Sequence, residues 1–409
     1  MPAGIAPLTD AGRRFVELAE KHAAEFAAVA DQHDRAGTFP MEHIEALKAS
    51  GAIAGLVPEE LGGVGVDCVH DMAVALSRFG RGDGAISIGL CMHYLMSWTM
   101  ARRWRAGRAQ GRDPDGSLLR AIVEGQAVMG VLNAESGSDN RHPFAEATPV
   151  EGGYRVRGKK SFGTMSPAAT LFTVRVRIPA GDGEYLTANA LIPVDAPGLE
   201  NLENWDALGM RASASHDIRL NDVFVTESAM TPPVPWGTLG HPGMTGGVAA
   251  ALCLAAPFLG IAEAAHENAV ELVKQRGKQP GPTPLREWGP VQGAVAENEV
   301  DLASMRGAFH RALELVDEGF ARHFPGDPPL EELHETMRES QAAKLIMNET
   351  AVKVVDRCLA ISGGSGYTAK SPLSRYYRDV RAGAFMSPFG ALEAREFIAR
   401  VALDLPPEG

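Results

Sequence analysis

The stretch SASHDIRLNDVFVT, residues 213–226, alternates apolar and polar side chains over much of its length. Successive side chains of a β-strand point to opposite faces, so this alternation predicts a strand with one buried face. The same pattern occurs in TVRVRI, residues 173–178, and glycine-rich turns at 152–153 and 181–183 separate such runs. We therefore predict antiparallel strands of a sandwich or barrel between about residues 126 and 236.

Helical periodicity flanks this β-segment on both sides. Apolar residues recur at three- and four-residue spacing in residues 11–33 and 41–56, the pattern of amphipathic helices. The same periodicity returns after Gly237 and continues to Leu403. The predicted α+β fold has an N-terminal helical domain at 1–124, a central β-domain at 125–236 and a C-terminal helical bundle at 237–409.

Composition limits the possible partners and compartment. The chain has 409 residues and a formal net charge of −12, so nucleic acid and anionic membranes are not expected as main partners. The 12 histidines show no metal-ligand spacing, and no metal site is predicted. The N-terminus enters a charged amphipathic helix without an apolar signal core, which favours a cytoplasmic protein. Widely spaced cysteines predict reduced thiols, at Cys68, Cys91, Cys253 and Cys358.

The most apolar stretch is GGVAAALCLAAPFLGIAEAA, residues 246–265. It approaches the length of a membrane span, but alanine and glycine dominate it and Pro257 interrupts it. We predict a buried helix of the C-terminal bundle.

Five motifs follow one another along most of the chain. They are VPEELGGVGVD (57–67), ESGSD (135–139), VRGKKSFGT (156–164), NWDALGMRASASHDIRLNDVFV (204–225) and ISGGSGYTAKSPLSRYYRDVR (361–381). Together they resemble the acyl-CoA dehydrogenase family. The resemblance implies an N-terminal α-helical domain, a central antiparallel β-domain and a C-terminal four-helix bundle. It also implies FAD, with FMN as the alternative, bound at a subunit interface of a homodimer or homotetramer.

The resemblance assigns flavin contacts to the β-domain. In the family, the serine at the position of Ser138 contacts the flavin pyrophosphate, and Leu132 or Asn133 stands near a flavin-contacting threonine. Phe162 and Thr164 stand where the family has tryptophan and threonine against the flavin ring, and strand alternation places both on one face. The structural alternatives are a local loop turn at Ser138 and a core aromatic beside a surface threonine.

Two further cofactor positions lie in the C-terminal part. Arg276 is what remains of the family's adenine-binding signature, since the phenylalanine and glycine of that signature are absent from RGKQP, residues 276–280. Gly363 and Gly364 fit a helix end that the flavin of a second subunit approaches, and a plain helix terminator is the alternative.

The catalytic base of the family is missing. The glutamate of most members lies nine residues after the arginine of the Arg-Asp element, and that position here is Ser387. A few members place it ten residues before the glycine that matches Gly260, where this chain has Ala250. Glu393 and Glu396 lie beyond, on a predicted solvated helix face. Removal of an α-proton needs a positioned base, so desaturation of an acyl thioester is disfavoured.

The Met-Ser-Pro turn at 386–388 resembles a different branch, the two-component flavin monooxygenases of the same fold. These enzymes take reduced flavin from a separate flavin reductase, bind oxygen at the flavin C4a atom, and hydroxylate aromatic or heteroatom-bearing small molecules. We therefore predict a flavin-dependent monooxygenase of secondary metabolism that acts on a small molecule. The alternatives are an acyl-CoA or acyl-carrier-protein dehydrogenase with a relocated base, and a non-catalytic binding subunit.

Four residues are the catalytic candidates. His93 and Tyr94 lie on the helix that borders the substrate cavity in both branches, and Ser387 occupies the position of the missing base. Arg211 lies where the family's strand turns back beneath the flavin. A hydrogen-bonded structural role is the alternative for His93, and a structural ion pair is the alternative for Arg211.

Overall fold

The computed structural model describes residues 4–276 and 284–407, and it confirms the predicted α–β–α order. The N-terminal helices are α1 (Asp10–Ala36), α2 (Met41–Ser50), α3 (Val69–Gly82), α4 (Gly84–Ala109) and α5 (Ser117–Val123). The strands are β1 (Met129–Leu132), β2 (Glu146–Val150), β3 (Gly153–Gly163), β4 (Leu171–Gly181), β5 (Glu184–Pro193), β6 (Leu199–Asn201), β7 (His216–Thr226) and β8 (Val234–Pro235). The C-terminal helices are α6 (Gly240–Cys253), α7 (Ala256–Gln275), α8 (Gly289–His323), α9 (Leu330–Ser362), α10 (Pro372–Asp379) and α11 (Ala391–Ala402).

The strands form one sheet in the order β6-β7-β3-β2-β4-β5-β8, and β1 lies beside β4. Most neighbours are antiparallel, as predicted, but β1 and β2 each pair with β4 in parallel. Helices precede and follow these strands in the sequence, so the sheet forms a middle domain between two helical regions.

Strand β7 contains most of the alternating stretch, and a bulge in its pairing with β3 explains the one break in the alternation. The buried side chains of the strand are Ile218, Leu220, Val223 and Val225. The pattern shifts by one residue at Asn221–Asp222, where Asp222 has φ 62° and the pairing with β3 changes register between Val156 and Gly158. A bulge therefore keeps the apolar side chains on the core side despite the break in alternation.

The apolar stretch at 246–265 is two helices, not the single helix predicted. Helix α6 ends at Cys253 and α7 begins at Ala256, one residue before Pro257. Because proline has no N–H to donate, the Cys253 carbonyl needs another donor, and the Cys91 thiol lies 3.2 Å from it. Residues 240–275 are long and apolar enough to cross a membrane, but 89% of the most apolar window is buried inside the fold. This segment is an interior helix pair.

Helix α7 crosses α3 at very short range. A Cβ atom on Gly260 would lie 2.1 Å from the carbonyl oxygen of Ser77, a distance that no side chain tolerates. The close crossing therefore requires glycine at this position and brings the N-terminal and C-terminal helices into one core.

The Arg-Asp element of α10 joins all three domains. Arg378 pairs with Asp34 of α1 at 2.8 Å. The next residue, Asp379, accepts the backbone N–H of Met210, before β7, at 2.6 Å through Oδ1. Burial raises the pKa of Asp379 to about 7. This motif is therefore structural: it ties the end of the chain to its beginning and to its middle.

Candidate functional site

The turn formed by residues 386–389 is held through all four of its backbone carbonyl groups. The Nζ atom of Lys344, on α9, donates to the carbonyls of the first, second and fourth residues, the latter two at 2.9 and 2.7 Å. The Nδ2 atom of Asn140, in the loop after β1, donates to the carbonyl of the third residue at 3.1 Å. The C-terminal helices and the β-domain thus fix the turn from two sides.

Lys344 is a buried cation at the centre of this arrangement. Its residue is 3% exposed, and burial lowers the pKa of its ammonium to about 7, with the negative charge of Glu393 opposing the shift. The three carbonyl oxygens also favour the charged form, because an ammonium group supplies one donor to each. In its protonated form, Lys344 therefore places a positive charge directly beneath the turn.

No carboxylate bonds to the 386–389 turn in the part of the chain that the structure describes. The hydroxyl of Ser387 accepts a hydrogen bond from Asn140 at 3.4 Å. Glu393 instead accepts the N–H of Gly390 at 2.7 Å at the start of α11, and Glu396 lies 3.7 Å from Arg400. Both glutamates are exposed, so their contacts are those of the predicted solvated helix face.

His93 and Tyr94 lie on the buried face of α4, and both are fully buried. The Nε2–H of His93 donates to the Ile53 carbonyl at 2.9 Å, and its Nδ1 accepts the N–H of Met129 at 3.1 Å. Tyr94 donates its hydroxyl to the Ala52 carbonyl at 3.0 Å. These are the contacts of structural residues, and they engage both ring nitrogens of the histidine. The catalytic role of either residue stays a prediction that this geometry does not favour.

The free energy of unfolding is expected to fall as the pH drops from about 6.5 to 4. Burial lowers the pKa of His93 from 6.5 to about 4, so between these values the unfolded state binds a proton that the folded state excludes. The measurement is denaturant unfolding at about pH 7 and about pH 5 for the wild type and His93→Gln. The variant should show a weaker pH dependence than the wild type. Equal pH dependence in the wild type and His93→Gln would contradict a neutral, buried imidazole.

Arg211 forms the contacts expected of its structural alternative. It lies in a short 3₁₀ turn, Arg211–Ser213, before β7. Its Nε donates to the carbonyl of Asp34 at 2.9 Å, and its Nη1 lies 3.3 Å from a carboxylate oxygen of Asp206. These bonds fasten the loop to the end of α1, and a catalytic role for Arg211 stays a prediction.

The predicted flavin loop follows β1. The side chain of Leu132 is fully buried in the sheet core, whereas Asn133 is half-buried, so only Asn133 offers a side chain outside the core. Ser138 donates its hydroxyl within the loop, to the carbonyl of Asp139 at 3.0 Å. This bond belongs to the local-turn alternative, and the flavin contact of Ser138 stays a prediction.

A buried ion pair anchors this loop to the sheet. Lys160 of β3 has a fully buried side chain whose Nζ contacts Glu135, itself 4% exposed. The same carboxylate accepts the N–H groups of Phe144 and Ala145 at 2.6 and 3.0 Å. Burial lowers the pKa of Lys160, and the charge of Glu135 opposes that shift. One carboxylate therefore closes the loop from residue 135 to residue 145.

The prediction that the side chains of Phe162 and Thr164 lie on one face of the strand is wrong. The pairing of β3 with β7 shifts register between Lys160 and Gly163, and Phe162 has φ 57° at that bulge. Phe162 is 57% exposed, whereas Thr164 is 7% exposed. The phenylalanine ring packs edge-on against the half-buried Trp205, with 5.8 Å between the ring centroids. The bulge separates the two side chains because it interrupts strand alternation.

Thr164 ends a short chain of buried hydroxyl groups. It accepts the Ser215 hydroxyl at 3.0 Å, and Ser215 lies 2.7 Å from the Ser213 hydroxyl. Its own hydroxyl makes only a long contact, 3.4 Å, with the carbonyl of Phe162. The hydroxyl group of Thr164 therefore donates only a weak hydrogen bond within the fold.

Arg276 and the glycine segment after α9 lie together. The Nη1 atom of Arg276 donates to the Ser365 hydroxyl at 2.6 Å. Gly363 has φ 62°, and a Cβ atom on Gly363 or Gly364 would meet nothing within 4 Å. The predicted cofactor residues thus form two groups, one on the β-domain and this one at the end of α9. The remaining positions of the adenine signature, 277–280, lie outside the described residues.

The described residues fit a flavin. The exposed ring of Phe162, beside the half-buried Trp205, provides an aromatic surface for a planar ring. Gly137 and Gly363 have positive φ and open space around them, so their backbones are accessible to a phosphate group. Arg276 adds a cation beside the second of these segments.

Sequence reasoning missed several residues of this region: Lys344, Asn140, Glu135, Lys160 and Trp205. A signal for Lys344 was present, because it falls at helical spacing among buried residues of α9 such as Met337 and Met347. A lysine on the apolar face of a helix indicates a buried cation with a specific partner. No local pattern identifies Asn140, whose partners are some 250 residues away in the chain.

Sequence profiles of three domains match this chain. They describe the acyl-CoA dehydrogenase N-terminal domain at residues 9–104, the middle domain at 129–223 and the C-terminal domain at 252–387. The matches span the helical region, the sheet and the last helices in the order seen in the structure.

Characterised relatives align along nearly the full length. The amino sugar nitrososynthase DnmZ of Streptomyces peucetius is 32% identical over 97% of this chain and 95% of its own. The L-evernosamine nitrososynthase of a Micromonospora species is 34% identical over 98% of this chain and 92% of its own. The structure of KijD3 with FMN and a dTDP-linked amino sugar superposes with a TM-score of 0.87 at 31% identity, covering 98% of this chain and 96% of KijD3.

Proposed function

Because this chain belongs to the acyl-CoA dehydrogenase family and is a flavin-dependent oxidoreductase, we propose that it oxidises the amino group of an amino sugar with O2 and reduced flavin. This is a monooxygenation at nitrogen, the heteroatom case of the activity predicted from the sequence. The two relatives named as nitrososynthases of amino sugars support an amine as the target.

The observation that carries the proposal is the charge at the 386–389 turn. Ser387 stands where a dehydrogenase needs a base, no carboxylate bonds to the turn within the described residues, and Lys344 lies beneath it. An amine reacts through its nitrogen lone pair and must be unprotonated. A carboxylate would favour the ammonium form of a nearby amine, whereas a buried cation disfavours it. The turn therefore suits amine oxidation better than proton abstraction from carbon.

The proposed reaction places one oxygen atom of O2 on the substrate nitrogen. The amine R–NH2 becomes R–NHOH and the second oxygen atom leaves as water; another turnover converts R–NHOH to R–N=O with release of two waters. When bound, reduced flavin supplies the two electrons for each turnover, and we propose that a separate flavin reductase provides it. Ser387, whose hydroxyl lies in the turn beside Asn140, offers that hydroxyl to orient the amine.

The test combines the full-length chain with a flavin reductase, NADH, FAD or FMN, and the dTDP-linked amino sugar of the KijD3 complex. We expect the substrate to gain oxygen, with the label taken from heavy-isotope O2 when the product is analysed by mass spectrometry. Anaerobic bleaching of bound flavin by an acyl thioester, without oxidation of any amine, would overturn the proposal in favour of a dehydrogenase. Failure to bind flavin at all would favour the non-catalytic binding subunit.

A further inference from the structure

The loop between β1 and β2 presents Asn140 from a firmly anchored backbone. The Oδ1 atom of Asp139 accepts the backbone N–H groups of Arg141 at 2.8 Å and of His142 at 3.0 Å. The same carboxylate pairs with the guanidinium of Arg141 at 3.0 Å and with the ring of His142 at 2.9 Å. These four contacts close the loop on itself, so they set the position of the Asn140 backbone within it.

A buried arginine fastens this loop to the sheet. Arg175 of β4 is 6% exposed, and its Nε donates to the backbone carbonyl of Asn140. Its Nη2 donates at 3.2 Å to the carbonyl of Thr238, in the segment that leads from β8 into α6. In the same segment, the N–H of Gly237 donates to the Arg141 carbonyl at 3.0 Å. The backbone of Asn140 is therefore held between β4 and the start of the C-terminal helices.

From this backbone, the side chain of Asn140 reaches the 386–389 turn. Its Nδ2 lies 3.1 Å from the carbonyl oxygen of Pro388 and 3.4 Å from the hydroxyl oxygen of Ser387. A carbonyl oxygen only accepts hydrogen bonds, so the amide must direct its nitrogen toward the turn. The Ser387 oxygen therefore accepts as well, and its hydrogen and its second lone pair remain for another partner.

The neutrality of Asn140 matters for the charge at the turn. An aspartate has nearly the same shape, but it would direct an acceptor oxygen at the Pro388 carbonyl and bring a negative charge beside Ser387. Among the described residues, Lys344 is the one charged group that bonds to the turn. The other titratable or charged groups close by are Glu393 at the start of α11 and, around the loop, Asp139, Arg141, His142 and Arg175.

We propose that Asn140 is a positioning residue for the oxidation of the amine. Its amide fixes the turn relative to the β-domain and leaves the Ser387 oxygen one lone pair for an N–H of the substrate amine. Because the amide is neutral, it does not stabilise the ammonium form of that amine. This inference rests on the proposed function, and it names the residue that sets both the orientation of Ser387 and the charge beside it.

The test compares Asn140→Ala and Asn140→Asp with the wild type in the oxidation assay, with the dTDP-linked amino sugar of the KijD3 complex as substrate. Asn140→Ala removes both contacts to the turn, and kcat should fall about tenfold. Asn140→Asp also adds a negative charge, which favours the ammonium form of the bound amine. The rise of kcat with pH should therefore move upward by about one pH unit in this variant alone.

The matched control is Asn221→Asp, at an exposed asparagine of β7. It adds the same charge elsewhere on the β-domain and should retain the kcat and the pH dependence of the wild type. A second readout needs no turnover. In the full-length chain without added flavin, the backbone amides of residues 386–390 should exchange hydrogen faster in Asn140→Ala than in the wild type, as measured by mass spectrometry. Circular dichroism of each variant checks that the fold is retained.

Three results would overturn the inference. They are an unchanged kcat in Asn140→Ala, the wild-type pH dependence in Asn140→Asp, and exchange of the turn that Asn140→Ala does not accelerate. Faster exchange in Asn140→Ala, together with no amine oxidation by the wild type, would support the anchoring of the turn and count against the proposed function alone.

Discussion

Replacing Lys344 with methionine is expected to lower the rate of amine oxidation by about a hundredfold. The ammonium of Lys344 bonds to three of the four carbonyls of the 386–389 turn, and methionine fills similar space without a donor. Three carbonyls, of which that of Phe389 is buried and the other two are partly buried, then lose their partner, and a buried group left unsatisfied costs about 1 to 3 kcal/mol. The turn should shift, and a shift of the orienting hydroxyl by about 1 Å is enough for a loss of this size.

The matched control for this experiment is Lys353→Met, at an exposed lysine of the same helix. It should retain the activity and the unfolding free energy of the wild type. Both variants are assayed for oxygen incorporation and by denaturant unfolding. Wild-type turnover in Lys344→Met would contradict the role of this residue in positioning the turn, even if the protein were less stable.

Replacing Lys160 with methionine should lower the free energy of unfolding by about 3 to 5 kcal/mol. The substitution leaves the carboxylate of Glu135 buried without its cation, although Glu135 keeps two backbone N–H donors. The double variant Glu135→Gln/Lys160→Met removes the buried charge and should recover part of that loss. Chemical denaturation of the two single variants and the double variant measures the coupling between the two side chains.

A neighbouring lysine provides the comparison for Lys160. Lys159 pairs with Asp217 at 2.7 Å, but its side chain is 55% exposed. Exposed pairs contribute at most about 1 kcal/mol, so Lys159→Met should change the unfolding free energy little. If the two lysine variants lose similar unfolding free energy, the buried Lys160–Glu135 pair is no more important for stability than the exposed Lys159–Asp217 pair, which would contradict the prediction.

The sequence predicts the order of domains because that order depends on local periodicity. Alternation alone predicts strand β7, and the bulge at Asp222 displaces the pattern by only one residue. Alternation does not predict the bulge at Phe162, since a single residue with positive φ has no alternation signal. Alternation therefore predicts that a strand exists but not where its side chains change face.

On α4, helical periodicity separates the buried side chains from the accessible ones, which side-chain chemistry alone does not. His93 and Tyr94 are catalytic candidates because their side chains can exchange protons, yet both share the spacing of buried residues on α4 such as Leu90 and Trp98. The half-buried or exposed residues of α4 follow a different face, which includes Met96 and Arg103. The role of Lys344 was beyond such reasoning, because its carbonyl partners lie 42 to 45 residues away in the chain.

The link between Arg378 and Asp34 has a consequence for biosynthesis. These two residues are 344 positions apart, and the Asp34 side chain is 6% exposed in the finished fold. While the ribosome is still translating the middle of the chain, helix α1 has emerged but its arginine partner does not yet exist. Until then the Asp34 carboxylate remains solvated. The final packing of α1 is therefore a late event that follows release of the C-terminal helices from the ribosome.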